Sequence, residues 1–209
     1  MGILDCFIIA AASYLLGSLN FAIIICKLTL KKDIRAYGSG NAGLTNAYRT
    51  MGAGKTVLVL VGDIAKAAIA LAIGGVLAGM MGKLLAGVFV IVGHVFPVYF
   101  GFRGGKGVLV GATMLVFLDW RIFLVALVLF VVAVGLTRWI SLGSIVGAVS
   151  FPVSMQVFHH DPALTVTAAL MSAAVIFMHR SNIRRILAGQ ENRFSLHAKP
   201  QIPPDDEKK

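Results

Sequence analysis

Residues 4–26 read LDCFIIAAASYLLGSLNFAIIIC, an apolar stretch long enough to cross a lipid bilayer. A transmembrane helix needs about 20 predominantly apolar residues, because each residue advances about 1.5 Å through a hydrocarbon core about 30 Å thick. A secretory signal has a shorter apolar segment preceded by a basic residue, whereas no Lys or Arg precedes this stretch. We therefore interpret 4–26 as the first transmembrane helix.

The composition of the whole chain also indicates a membrane protein. Of its 209 residues, 58% are apolar and only 13% are charged, and the mean hydropathy is +0.87. Soluble domains carry about 25% charged residues, so a soluble core explains these values poorly. Further apolar stretches cover 57–80, 84–100, 107–118, 122–136, 140–158 and 163–178. Hydropathy alone is compatible with five, six or seven spans.

The basic residues discriminate among these topologies. With seven spans and the N-terminus outside, all of the 19 Lys and Arg residues except Lys66, Lys83 and Arg121 fall in inner loops or in the C-terminal segment. This asymmetry follows the positive-inside rule. The sequence thus predicts an all-α, polytopic integral membrane protein with about seven transmembrane helices, its N-terminus outside and its C-terminus in the cytoplasm.

The domain organisation follows from the same pattern. We expect residues 1–194 to form a single membrane-embedded domain. Residues 195–209 contain prolines and charges without an apolar period, which predicts a disordered cytoplasmic tail. Cys6 and Cys26 lie about 30 Å apart on one helix, too far for a disulfide, and no metal site or cofactor is expected.

The net charge of +10 bears on which anionic partners the protein binds. The basic residues border apolar stretches, so anionic membrane lipids or a phosphorylated substrate are the expected partners and nucleic acid is not. Within the second apolar stretch, Asp63 and Lys66 are three residues apart on one helix face. We expect them to pair, because isolated charges in lipid are costly.

The first long inner loop contains SGNAGLTNAYR at 39–49. Glycines allow backbone N–H groups to turn toward an anion, and Ser, Thr, Asn and Arg side chains donate hydrogen bonds to phosphate. An ordinary flexible loop has a similar composition, so this motif alone does not distinguish an anion-binding loop from a flexible one. The adjoining GAGKT at 52–56 resembles the end of a P-loop, but Arg49 occupies the required glycine position and no strand precedes it.

The next inner loop carries a second candidate motif. FRGGKG at 102–107 places Lys106 between glycines, where it is either a phosphate contact or a headgroup anchor. His94 lies near the membrane end of the preceding span and is followed by Pro97. We expect His94 to brace this loop.

A third cluster, HRSNIRR at 179–185, follows the last apolar stretch. A basic stop-transfer flank explains its arginines but explains neither His179 nor Asn182, which share a helix face. Ser141 and Ser144 lie at the inner end of the sixth stretch. They either face the same site or bond to their own helix backbone.

These three ordered motifs resemble those of the bacterial acyl-phosphate:glycerol-3-phosphate acyltransferase family. The similarity extends from the first helix to about Phe194, with Leu109 standing where a small Ala is expected. The first motif matches at Ser39-Gly40-Asn41, Gly43, Thr45-Asn46 and Arg49. The second matches at Gly93-His94, Phe96-Pro97 and Gly104-Gly105-Lys106-Gly107. The third matches at His179-Arg180, Asn182-Ile183, Arg185, Gly189 and Glu191.

The resemblance implies a seven-helix fold in the bacterial plasma (inner) membrane, with the active site facing the cytoplasm. It implies transfer of an acyl group from acyl phosphate to glycerol 3-phosphate, which yields lysophosphatidic acid and phosphate in phospholipid biosynthesis. A functional link to the enzyme that makes acyl phosphate would follow. No cofactor is implied.

The resemblance, together with the chemistry of the side chains, gives an expected role to each motif residue. The expected substrate-binding residues are Ser39, Gly40, Asn41, Thr45, Asn46, Arg49, Gly104, Gly105, Lys106 and Gly107. The expected catalytic residues, which would orient the acceptor, are His179, Asn182 and Ser144. His94 and Glu191 are expected to give structural support.

Two other classes of protein fit part of the pattern. A membrane transporter for a phosphorylated solute would use similar anion-binding loops, but it predicts polar residues continuing across the membrane. A non-catalytic membrane scaffold would not need the His, Asn and Gly-Gly-Lys-Gly elements. A soluble-type acyltransferase has Asp five residues after its His, whereas the chain has Tyr99 after His94 and Arg184 after His179.

Overall fold

The computed structural model describes residues 2–195 and 200–202, and this part of the chain is helical without strands. The helices are α1 Ile3–Ser18, α2 Phe21–Leu30, α3 Leu44–Val95, α4 Val108–Leu118, α5 Trp120–Thr137, α6 Ile140–His159, α7 Pro162–Met178 and α8 Arg180–Leu187. Short 3-10 turns cover Ile34–Ala36 and Val98–Phe100. The prediction of an all-α chain is confirmed.

The described residues form two compact units. The first contains 2–118 together with 200–202, and the second contains 119–195. Most of the predicted disordered tail, 196–199 and 203–209, lies outside the described residues. Pro200–Ile202, however, pack against the rest of the first unit, and Ile202 is buried.

The first apolar stretch is broken, which differs from the single helix expected over 4–26. Helix α1 ends at Ser18 and α2 begins at Phe21. Asn20 causes the break, because its side-chain oxygen accepts a hydrogen bond from the Ile23 amide at 3.1 Å and caps α2. The combined segment Ile3–Leu30 is still long and apolar enough to cross a membrane.

Helix α3 comprises three segments, 44–51, 53–77 and 80–95. Backbone angles leave the helical region at Gly52 and again at Ala78 and Gly79. The chain reverses at the second break. Lys66 Nζ and His94 Nδ1 lie 3.0 Å apart, whereas 28 residues of straight helix would separate them by about 42 Å. The two predicted apolar stretches 57–80 and 84–100 correspond to the two arms of this hairpin.

The number of spans stays a prediction. By length and composition, four helical segments in the described part of the chain could cross a membrane, or five if the bent pair α7 and α8 is counted as one span. This count takes the whole α3 hairpin as one segment. It leaves out α4, which at 11 residues is too short to be counted as a span. Each predicted apolar stretch nevertheless coincides with a helix or, for the first, with the α1–α2 pair.

In the second unit, α5 and α6 pack against each other, and α6 packs against α7. At one end of these helices, Asp119 caps α5, pairs with Arg121 at 2.7 Å and lies 3.1 Å from His159 Nε2. Hydrogen bonds from the Arg121 side chain hold the pKa of Asp119 at about 2. Ser141 lies at the opposite end of α6, about 27 Å from His159 along the helix axis.

Candidate active site

Asn46 organises the first motif loop from within. Its side chain is buried, and its Oδ1 accepts a hydrogen bond from the Ser39 amide at 2.9 Å. Its Nδ2 donates to the carbonyls of Tyr37 at 3.1 Å and Ile34 at 3.4 Å. These bonds use both N–H groups of the amide and give Asn46 a role in shaping the loop, while the substrate contact expected from the sequence stays a prediction.

The same loop leads into the open N-terminus of α3. Gly43 is the N-cap of α3 and no side chain caps this end, so the first N–H groups of the helix lack partners inside it. Such an end attracts anions, because the helix dipole and the N–H groups both favour negative charge. Ser39 and Gly40 are exposed beside it, and the Asn41 side chain lies over Gly43.

Arg49 lies on the same short helical segment. It is four residues after Thr45 and therefore on the same helix face. Both residues are half-buried. Within the described part of the chain, the Arg49 guanidinium forms neither a hydrogen bond nor an ion pair. The first motif thus brings together an uncapped helix end and a cation, which suits a phosphate group.

The second motif loop folds back onto the end of α3. The Gly104 amide donates to the Val95 carbonyl at 3.0 Å, and the Gly105 amide donates to the His94 carbonyl at 3.1 Å. These two N–H groups therefore cap the last carbonyls of α3, and the substrate contacts expected of Gly104 and Gly105 stay a prediction. Lys106 is half-buried and directly precedes Gly107, whose carbonyl accepts from the Gly111 amide at the start of α4.

The first and second motif loops are in direct contact. A Cβ added at Gly105 would collide with the His94 imidazole and would lie 2.8 Å from the Ala42 carbonyl oxygen. Gly105 is therefore required for close packing between the loops. The Ala42 carbonyl also accepts a hydrogen bond from Asn20 Nδ2 at 3.1 Å, which ties the loop to the break between α1 and α2.

Arg35 joins the two loops and was not recognised from the sequence. Its guanidinium donates to the carbonyls of Phe100 at 2.6 Å and Arg103 at 3.0 Å, and it pairs with Asp33 at 2.8 Å. Hydrogen bonding from Arg35 lowers the pKa of Asp33 below its usual value. The spacing Asp33-Ile34-Arg35 was the available signal, although it does not identify the distant carbonyls.

A charged network lies buried next to these loops. The predicted pairing of Asp63 with Lys66 is confirmed, at 2.7 Å with both side chains almost fully buried. Lys66 also donates to the carbonyls of Gly17 at 3.0 Å and Leu19 at 2.8 Å, where α1 ends. His94 Nδ1 accepts from Lys66 at 3.0 Å, because an ammonium can only donate. His94 thus connects the network to the second loop, and the structural role expected of it from the sequence stays a prediction.

Glu191 is the centre of the polar cluster in the second unit. Its Oε1 accepts hydrogen bonds from Ser141 Oγ at 2.8 Å and Asn182 Nδ2 at 2.7 Å. Its Oε2 accepts from Arg185 Nε at 2.8 Å. The carboxylate therefore connects the start of α6, helix α8 and the following segment, and the supporting role expected of Glu191 stays a prediction.

His179 lies at the 60° bend between α7 and α8 and is buried. Its Nδ1 is 2.8 Å from the Val175 carbonyl, which can only accept, so Nδ1 carries the proton. In the neutral ring, Nε2 then holds the lone pair. Ser144 donates to the Ile140 carbonyl at 2.9 Å, which is the backbone-bonded alternative, whereas Ser141 reaches Glu191. The catalytic roles of His179, Asn182 and Ser144 stay predictions.

Glu191 is expected to make the second unit sensitive to acid. Burial alone would raise its pKa, but hydrogen bonds from Asn182, Arg185 and Ser141 outweigh burial and lower the pKa below 4.5. A carboxylate with a lowered folded-state pKa stabilises the fold above its unfolded pKa. That contribution is lost as the pH falls through the folded-state value. Glu191→Gln should therefore lower the melting temperature near neutral pH and weaken its decline below about pH 4.5.

Thermal unfolding of the detergent-solubilised protein across this pH range tests the expectation. Asp5→Asn is the matched control, since it removes one carboxylate from the first unit. An equal dependence of melting temperature on pH in the wild type and in Glu191→Gln would show that Glu191 does not contribute to acid sensitivity.

Comparison with known proteins agrees with this geometry. Residues 7–189 match the family model described as glycerol-3-phosphate acyltransferase. The chain is 40% identical over 185 residues to the glycerol-3-phosphate acyltransferase of Thermoanaerobacter pseudethanolicus, covering 88% of this chain and 93% of the relative. It is 38% identical to the Bacillus anthracis glycerol-3-phosphate acyltransferase 2, covering 87% and 95% of the two chains.

Two solved structures share the fold. Both are crystal structures of PlsY (YgiH), an integral membrane glycerol 3-phosphate acyltransferase, in a glycerol 3-phosphate form and a lysophosphatidic acid form. Each is 32% identical and covers 91% of this chain and 96% of the other, with TM-scores of 0.85 and 0.82. The chain therefore belongs to the glycerol-3-phosphate acyltransferase family of integral membrane enzymes, which transfer an acyl group to glycerol 3-phosphate in phospholipid synthesis.

Proposed function

We propose that the acyl donor is acyl phosphate and that the products are lysophosphatidic acid and phosphate. The observation that carries this proposal is the first motif, where an uncapped helix N-terminus and the Arg49 guanidinium stand on one short segment. A second cation, Lys106, follows the glycine pair that packs against this loop. Two phosphate-bearing substrates need two such anion contacts.

The reaction requires little activation of the acyl donor by the enzyme. A hydroxyl oxygen of glycerol 3-phosphate attacks the acyl carbon, the new ester bond forms, and the bond between the acyl carbon and the phosphate oxygen breaks. The departing phosphate takes the hydroxyl proton. Because phosphate is a good leaving group, positioning and charge stabilisation supply most of the rate enhancement.

The residues divide between these tasks. Ser39, Gly40, Asn41 and Thr45 are proposed to hold the acyl-phosphate group at the start of α3. Arg49 and Lys106 are proposed to hold phosphate, with the phosphate of glycerol 3-phosphate assigned to Arg49. Asn46, Gly104 and Gly105 shape the loops that carry these contacts.

His179, Asn182 and Ser144 are proposed to orient the acceptor. His179 is buried, and the hydrogen bond from its Nδ1 to the Val175 carbonyl fixes the orientation of the ring. Asn182 is held by Glu191, so its side chain has a defined orientation. Ser144 retains lone pairs on a hydroxyl that donates to its own backbone.

We further propose seven spans with the loops of the three motifs on the cytoplasmic side of the bacterial plasma (inner) membrane. Within the first unit, the loop after α2 contacts the loop after α3, whereas the 78–79 reversal lies at the other end of the hairpin. Within the second unit, Phe194 bonds to the Arg138 carbonyl, and the His159 end is opposite. In each unit, the motif loops lie at one end of the helices and the other connections lie at the opposite end. This arrangement agrees with the distribution of basic residues.

The donor is tested with purified protein, labelled glycerol 3-phosphate, and either palmitoyl phosphate or palmitoyl-CoA. Lysophosphatidic acid should form from palmitoyl phosphate with release of one phosphate per product, and palmitoyl-CoA should give none. A liposome uptake assay runs beside it. Product from palmitoyl-CoA alone would overturn the donor assignment, and uptake without lysophosphatidic acid would favour the transporter alternative.

A further inference from the structure

Residues Pro200–Ile202 lie against the short helical segment 44–51, well beyond the family-matched range 7–189. The Gln201 amide donates to the Arg49 carbonyl at 3.3 Å, and the Ile202 amide donates to the Thr50 carbonyl at 3.0 Å. Pro200 covers Gly52, where an added Cβ would lie 3.0 Å from the proline ring. The tripeptide thus touches the segment that carries Arg49.

The position of these bonds follows from the break at Gly52. Gly52 has a φ of 79°, a left-handed conformation that ends the regular helix. The last carbonyls of a helix have no partner inside it and need donors from elsewhere. The amides of Gln201 and Ile202 meet this requirement for two carbonyls, one of them belonging to Arg49.

Ile202 anchors the tripeptide by apolar contact. Its exposed fraction is only 4%, although it belongs to a polar segment rich in proline. It joins the buried cluster that contains Ala47 and Met51 of the short segment and Ile23 and Cys26 of α2. One face of the short segment therefore packs in the same buried cluster as α2 and Ile202.

We propose that Pro200–Ile202 form a clamp that positions the short segment 44–51, and with it Arg49, for phosphate binding. The clamp touches no substrate and acts through the helix, so its residues are positioning residues. The inference rests on the proposed role of Arg49. It assigns a function in the reaction to a part of the chain that the sequence predicted to be disordered.

The test replaces Ile202 with aspartate, which cannot stay in the apolar cluster. In Ile202→Asp, the KM for glycerol 3-phosphate should rise about tenfold or more, with a smaller change in kcat, because the segment is displaced in the free enzyme. Ile202→Val should restore near-normal KM. Gln201→Ala is the matched control, since its side chain is exposed and its amide bond is kept.

Hydrogen exchange gives a second readout in the full-length chain. The amides of 44–51 should exchange about tenfold faster in Ile202→Asp, while those of α6 should keep the wild-type rate. A lower yield of folded protein with unchanged KM and unchanged exchange in 44–51 would overturn the clamp, because only general stability would then depend on Ile202.

The clamp and the proposed phosphate site can fail separately. If Arg49→Ala retains normal transfer, the phosphate assignment fails whatever Ile202→Asp does. If Arg49→Ala loses activity but Ile202→Asp keeps the wild-type KM, the clamp fails and the phosphate assignment stands.

Discussion

Replacing Lys66 with methionine is expected to abolish acyl transfer and to destabilise the first unit. The substitution removes the partner of Asp63 and leaves a carboxylate almost fully buried. Breaking a buried ion pair in this way costs about 3–5 kcal/mol in general. The carbonyls of Gly17 and Leu19 also lose their donor, so the break between α1 and α2 loses two hydrogen bonds that attach it to α3.

A double substitution separates charge burial from positioning. Asp63→Leu with Lys66→Met removes both charges, so it should recover much of the melting temperature lost in Lys66→Met alone. Its activity should stay low, because Leu19 has lost its bond from Lys66 and the neighbouring Asn20, which donates to the Ala42 carbonyl, is no longer held in position. Acyl transfer and thermal unfolding of both variants are compared with the wild type. Near-normal transfer by Lys66→Met would exclude a role for Lys66 in holding the α1–α2 break in place for acyl transfer.

Features that depend on composition and short-range spacing could be predicted from the sequence. The apolar stretches coincide with helices because a helix in lipid must satisfy its own backbone hydrogen bonds. The pairing of Asp63 with Lys66 follows from their three-residue separation and the cost of isolated charge. Breaks within the stretches are harder to predict. Asn20 ends α1 because its side chain competes for a backbone amide, and this competition does not change hydropathy.

The direction of hydrogen bonds could not be predicted from the sequence. Gly104 and Gly105 have the composition of an anion-binding loop, yet their amides bond to the carbonyls at the end of α3. Asn46 has a side chain suited to bind phosphate, yet both of its side-chain N–H groups donate to the loop backbone. Residue type specifies which groups can donate, whereas tertiary packing specifies where the donors point.

The two serines of α6 illustrate the same limit. Ser141 and Ser144 are three residues apart on similar helix faces, and both hydroxyls could bond to the backbone or to a partner. Ser141 bonds to Glu191, which is 50 residues away in sequence, whereas Ser144 bonds to Ile140. The difference depends on the path of the segment after α8, which has no apolar period from which to predict it.

Replacing Arg49 with alanine is expected to reduce kcat/KM for acyl transfer by about 100-fold or more without unfolding the protein. A bidentate contact from arginine to phosphate comprises two charge-assisted hydrogen bonds, each contributing about 1.5–3 kcal/mol. The guanidinium forms no hydrogen bond or ion pair with other described residues, so its removal leaves no partner among them unsatisfied. The Arg49 carbonyl, which accepts from Gln201, is retained in the variant.

Lys106→Ala should cause a loss of similar size, and Arg103→Ala provides the matched control for both variants. Arg103 is an exposed cation in the same loop as Lys106, and its carbonyl bond to Arg35 survives the substitution. If general positive charge near the membrane attracts the substrates, all three variants should lose activity to a similar extent, and added salt should narrow the differences. If Arg49 and Lys106 bind phosphate directly, Arg103→Ala should keep nearly full activity while the other two variants lose transfer at every salt concentration. Steady-state kinetics with palmitoyl phosphate and glycerol 3-phosphate distinguish these outcomes, because direct contacts and long-range attraction differ in their response to screening.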